Sequence, residues 1–167
     1  MVWSLFGFII HLGFFASLIQ IISNNNLQST FLEIESGKFL IFYVVLIAIL
    51  MDSIAFFAGK SFGKRPFITN VSPNKTLEGF MAAIIVTPLL LSTISFNIFN
   101  LPFFLVLCIL VVVSLYSVLG DAFASMMKRV VEVKDYSNLI PGHGGLFDRL
   151  DSHVAAFPCF VFLLNIV

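Results

Sequence analysis

Five apolar runs divide the chain, and they leave few folds open to it. They cover about 2–22, 39–58, 79–99, 101–120 and 154–167. Each of the first four has about 20 residues, enough to carry an α-helix across ~30 Å of hydrocarbon at ~1.5 Å per residue. The fifth has 14 and reaches across by taking in Ser152 and His153. Hydrocarbon offers no hydrogen-bond partners, so such runs must satisfy their backbone groups within helices. They predict an all-α fold: a polytopic membrane helix bundle of about five transmembrane helices with two cytoplasmic polar loops. The whole of 1–167 reads as a single membrane domain, with spans at about 2–22, 39–58, 79–99, 101–120 and 152–167. Composition agrees, since 59% of residues are hydrophobic and 11% charged, against roughly 45–50% and 25% in soluble domains. The first run has no basic leader and no small-residue cleavage site, so it reads as a retained span.

Lys and Arg number nine, as do Asp and Glu. Bulk charge therefore points to no partner, and no pattern calls for nucleic acid. The placement of the bases is informative. Lys60, Lys64, Arg65 and Lys75 fall in one inter-span segment, and Lys128, Arg129, Lys134 and Arg149 in another. Eight of the nine bases thus lie on one side, with Lys38 apart. The positive-inside rule places that side in the cytoplasm, as in the inner membrane of a bacterial-type cell. Cys108 and Cys159 sit in apolar runs, where free thiols behave as small hydrophobes.

Three stretches carry residues that chemistry would need. Asp52 lies inside the second apolar run. A carboxylate there costs a few kcal/mol on insertion scales, so it calls for a partner on a neighbouring helix or for a wet cavity. Ser72-Pro73-Asn74-Lys75-Thr76-Leu77-Glu78-Gly79 precedes the third run. Ser-Pro is a helix-start signal, and Thr76, Glu78 and Gly79 fall around the expected first turn. A lysine and hydroxyls at a helix N-terminus make an anion site; a flanking loop that merely obeys the positive-inside rule has the same look. From 120 to 152 come Asp121, Asp148 and Asp151, three carboxylates suited to metal. Asp148 and Asp151 are three apart and share a face on a helix. Between lies Pro141-Gly142-His143-Gly144-Gly145, whose glycines let amides approach a phosphate closely. Carboxylates and bases concentrated at one membrane face suit Mg²⁺ holding polyphosphate, whereas a salt-bridged loop would not need so dense a mixture.

These residues resemble a known family. Ser125-Met126-Met127-Lys128-Arg129, then Lys134-Asp135-Tyr136-Ser137, then Ile140-Pro141-Gly142-His143-Gly144-Gly145-Leu146-Phe147-Asp148-Arg149-Leu150-Asp151 is similar to the phosphatidate cytidylyltransferase (CDP-diacylglycerol synthase) signature across 27 residues. Asp52-Ser53-Ile54-Ala55-Phe56-Phe57-Ala58-Gly59 and the stretch from Ser72 to Gly79 look like two further family blocks, in the right order. The resemblance implies transfer of a cytidylyl group from CTP to phosphatidate, giving CDP-diacylglycerol and pyrophosphate. It implies Mg²⁺, with a second cation left open, at the cytoplasmic face of the lipid membrane. Asp121, Lys128 and Asp148 would be catalytic, and Asp121, Asp148 and Asp151 metal-binding. Asp52, Ser72, Lys75, Thr76, Glu78, Ser125, Arg129, Lys134, Asp135, His143, Gly144, Gly145 and Arg149 would contact substrate. A phosphate nucleophile is already ionised at neutral pH, so His143 reads as a hydrogen-bonding residue of its turn rather than a base.

The chain departs from the family in three places: Ala124 where an acidic residue is common, Ala82-Ala83 where glycines are usual, and Phe56 where Tyr is usual. It resembles only the C-terminal, catalytic part of bacterial members. A short member, one part of a split enzyme and a truncated non-catalytic copy all fit that length. A second copy, or a partner chain supplying the N-terminal spans, is an expected partner. Two alternatives of other kinds stand beside this reading: a CTP-dependent kinase of a polyprenol- or phytol-type lipid alcohol, and a small transporter using Asp52 and the loop charges. Against the transporter, the charges cluster at one face, while a path needs polar residues through several spans.

Overall fold

The computed structural model describes residues 2–23, 36–68, 72–99, 101–133, 136–137 and 147–167. Five helices dominate: α1 (Val2–Ser23), α2 (Ser36–Phe62), α3 (Leu77–Phe99), α4 (Phe103–Val130) and α5 (Phe147–Ile166). A two-stranded antiparallel hairpin, β1 (Pro66–Ile68) and β2 (Ser72–Thr76), joins α2 to α3. The helices pack in a closed ring, α1 on α2, α2 on α3, α3 on α4, α4 on α5 and α5 back on α1, with α2 also touching α5.

The bundle is apolar outside as well as inside. Its apolar core, with Val44, Ile47, Leu91, Leu110, Val113 and Phe160 at its centre, is interleaved with buried Ser92, Ser95, Ser114 and Ser117. Large apolar side chains such as Phe8, Ile19, Phe57, Ile85 and Phe104 face outward. Lipid is the solvent in which that distribution is stable. Small polar side chains let helices approach, and the Tyr43 hydroxyl of α2 meets Ser95 Oγ of α3 at 2.5 Å. The segments Gly37–Phe62, Leu77–Ser95 and Phe103–Val130 are long and apolar enough to cross a membrane.

Two glycines permit close helix approaches near the charged end. A methyl group on Gly79 would lie 2.4 Å from the Ala55 carbonyl oxygen, so α3 starts pressed against α2. One on Gly120 would lie 2.8 Å from Ala155 Cβ and 2.9 Å from the Asp151 carbonyl oxygen, so α4 meets α5 there. Both contacts occur at the end of the bundle where the charged residues gather.

The helices and the apolar runs do not share boundaries. α4 continues past residue 120 to Val130, which puts Asp121, Ser125, Lys128 and Arg129 on a helix where a loop is expected. Ala122-Phe123-Ala124-Ser125-Met126-Met127 contains no glycine or proline, and Lys128 and Arg129 suit a helix C-terminus. Helix α3 starts at Leu77, so Thr76, Glu78 and Gly79 fall at its first turn as expected, whereas Ser72-Pro73 is not at the helix start. Residues 72–76 pair with β1 instead, Pro66 opposite Thr76 and Ile68 opposite Ser72.

Candidate active site

The hairpin brings Lys75 into position. Thr76 caps α3, its Oγ1 accepting the Gly79 N–H at 3.3 Å. One carboxylate oxygen of Glu78 accepts the backbone N–H groups of Lys64 and Arg65, at 3.0 and 3.1 Å. The Leu77 N–H donates to the Arg65 carbonyl at 2.9 Å. Thr76 therefore caps α3, and Glu78 fastens its start to the segment just after α2. Lys75, the residue before Thr76, is held over the bundle end, where its ammonium is paired with Asp121 of α4. Ser125, one turn beyond Asp121, reaches its other oxygen at 3.5 Å. Burial alone would lower the pKa of Lys75, but the charge and hydrogen bond of Asp121, then the charges of Asp52 and Asp151, hold it above its ordinary 10.5. Asp52 and Asp151 thus lie within electrostatic reach of the same ammonium.

A second cluster is built where α4 ends against the start of α5. Lys128 stands seven residues after Asp121, two helical turns along the same face. Its ammonium donates to Asp148 at 2.9 Å and lies 3.7 Å from Asp151. Both aspartates come from the first turns of α5, so their spacing of three brings them to one lysine. These three side chains are 10%, 8% and 12% exposed, against 42% and 19% for Lys75 and Asp121. Asp151 also accepts its neighbour Ser152's N–H at 2.8 Å.

Tyr136, within the signature but not among the candidate site residues, completes this cluster. Helix α4 ends in a turn with Glu132 at φ 57°, the Val133 N–H bonding back to the Lys128 carbonyl at 2.9 Å. The Tyr136 N–H donates to Asp148 Oδ2 at 3.0 Å and its hydroxyl to the Ala124 carbonyl at 3.3 Å. The Lys128 ammonium lies 5.3 Å from the Tyr136 ring centroid. Burial pushes the Tyr136 phenol up; Lys128 opposes the shift, and Asp148 and Asp151 reinforce it.

Asp52, Lys75, Asp121, Ser125, Lys128, Asp148 and Asp151, expected from sequence, thus converge at one bundle end. Glu78 and Thr76 lie beneath Lys75 as fasteners of the hairpin. Arg129 is on the exposed side of α4. The backbones of Ser72 and Arg149 belong to β2 and α5. Lys134, Asp135, His143, Gly144 and Gly145 lie outside the described residues. Among the described residues, no three His, Cys, Asp or Glu side chains gather as a metal-ligand group, since lysine ammoniums stand between the carboxylates. The donors are nonetheless all carboxylate oxygens, and four aspartates surround two lysines. That excess of two negative charges matches a divalent, oxygen-seeking cation.

Known proteins carry the same arrangement of sequence. The profile of the cytidylyltransferase family matches residues 1–167. A phosphatidate cytidylyltransferase of Bacillus subtilis is 41% identical over 140 residues, which are 80% of this chain and 52% of the relative. One from Haemophilus influenzae is 43% identical over 132 residues, 74% of this chain and 45% of the relative. One from Helicobacter pylori is 40% identical over 118 residues, 71% and 44% respectively. The chain spans about half the length of these curated relatives. It belongs to the cytidylyltransferase family.

Proposed function

We propose that this member of the cytidylyltransferase family transfers a cytidylyl group from CTP to phosphatidate, alone or with a partner chain that supplies further spans. The observation that carries the reading is the convergence of Lys75, Asp121, Lys128, Asp148 and Asp151, from three separate segments, at one end of an apolar bundle. A lipid phosphate and a nucleotide triphosphate repel each other, and cations placed between carboxylates can hold both. The resemblance to relatives that bear the name phosphatidate cytidylyltransferase supplies the substrate pair.

In this reaction a phosphatidate phosphate oxygen attacks the α-phosphorus of CTP. A new P–O bond forms, the bond to the bridging oxygen breaks, and pyrophosphate leaves with the electron pair. The nucleophile is already an anion, so positioning and charge neutralisation outweigh proton transfer. Lys75, on the more open hairpin, swings from Asp121 to an entering phosphate oxygen. Lys128, held by Asp148 and Asp151, presents a fixed positive charge to the polyphosphate. Asp121, Asp148 and Asp151 would hold Mg²⁺, which when bound offsets charge on the phosphate oxygens. The site faces the cytoplasm, where CTP is made, and Asp52 borders it from within the membrane-crossing part of α2.

The test is CDP-diacylglycerol formation by the purified chain in phosphatidate micelles with CTP and Mg²⁺. The expected result is a product that needs all three and vanishes in the Asp121→Asn, Asp148→Asn double variant. Product formation that survives the double variant would overturn the assignment of the site.

A further inference from the structure

We infer that Tyr136 is a positioning residue for Lys128, fixing the direction in which that ammonium is presented. Lysine carries its charge on a long stem of rotatable bonds, and its usefulness to a polyphosphate depends on where that charge is held. On one side Asp148 takes the ammonium at 2.9 Å, with Asp151 at 3.7 Å. The Tyr136 ring lies 5.3 Å away and supplies an attraction between cation and π-face. The same residue fixes the carboxylate from its main chain, its N–H donating to the second oxygen of Asp148 at 3.0 Å. Its hydroxyl ties the ring to the Ala124 carbonyl, one turn before Lys128 on α4.

Each contact has a different role. The ring and the amide act on the ion pair, whereas the hydroxyl only holds the ring in register. A phenylalanine in this place keeps the ring and the amide. A leucine keeps the amide and much of the bulk, but loses the π-face. A glutamine offers a polar chain of similar reach without a ring. Because the amide remains in every variant, the comparison isolates the ring.

The experiment treats the purified chain and its Tyr136→Phe, Tyr136→Leu and Tyr136→Gln variants with a small amine-acylating reagent. Labelling at each lysine is counted by peptide mass spectrometry. Lys128 labelling is expected to rise several-fold in the leucine and glutamine variants and to stay at the parent level in Tyr136→Phe, with Lys75 unchanged throughout. This readout needs no turnover, so it stands apart from the cytidylyl-transfer reading on which the kinetic part rests. There, Tyr136→Leu should lower kcat on the order of tenfold with KM for CTP little changed. Equal Lys128 labelling in the parent and both ring-less variants would overturn the proposal. So would a Tyr136→Phe variant labelled like Tyr136→Leu.

Discussion

The two lysines at the charged end of the bundle are held in opposite ways. Lys75 rides on a short hairpin and shares a partly exposed pair with Asp121. Lys128 projects from a 28-residue helix into a nearly buried set with Asp148 and Asp151. An exposed ion pair contributes little to stability and is readily exchanged for another partner. A buried one is costly to break, because it leaves a charge without compensation. In the proposed reaction, the difference separates a group free to move toward a substrate from one that forms the floor on which the substrate is received.

Chelation should have the largest effect. EDTA is expected to abolish turnover and added Mg²⁺ to restore it, while circular dichroism shows the helices unchanged, because the lysines already neutralise much of the carboxylate charge. Next comes Lys128→Met, expected to destabilise the fold by about 3–5 kcal/mol as well as to remove activity, read by thermal unfolding in detergent. Lys75→Gln divides the two properties: kcat/KM should fall on the order of 10²- to 10³-fold, with stability changed by less than about 1 kcal/mol. Equal stability losses for the two lysine variants would break the distinction. Thr76→Val should be smallest, costing about 1 kcal/mol through the lost cap and loosening the hairpin under Lys75, while leaving Lys128 as it was. Hydrogen exchange at the Gly79 amide is the direct check.

Much of this was legible in the sequence. Hydropathy gives five helices because lipid exposure writes apolar residues all around a segment. Asp52 stands out because a carboxylate is expensive there, and Asp148 with Asp151 because a spacing of three is meaningful on any helix. The extension of α4 through Val130 was hidden, since hydropathy reports contact with lipid and not helix continuity. The hairpin was hidden as well: a three-residue strand against a five-residue one is too short for a period of two to show. The pairing of Lys75 with Asp121 joins residues 46 apart and leaves no local trace. Tyr136 stood in the signature without a role, because a ring's value to a lysine depends on a turn that only the folded chain reveals.

The most direct measurement follows one phosphorus atom. The purified chain is incubated with phosphatidate, Mg²⁺ and CTP labelled at either the α- or the γ-phosphate, and the lipid is extracted. Label from the α-phosphate alone, with one pyrophosphate released per labelled lipid, is the expected result. Label from the γ-phosphate, or CTP-dependent lipid product with CDP released, would contradict cytidylyl transfer and mark the chain as a kinase.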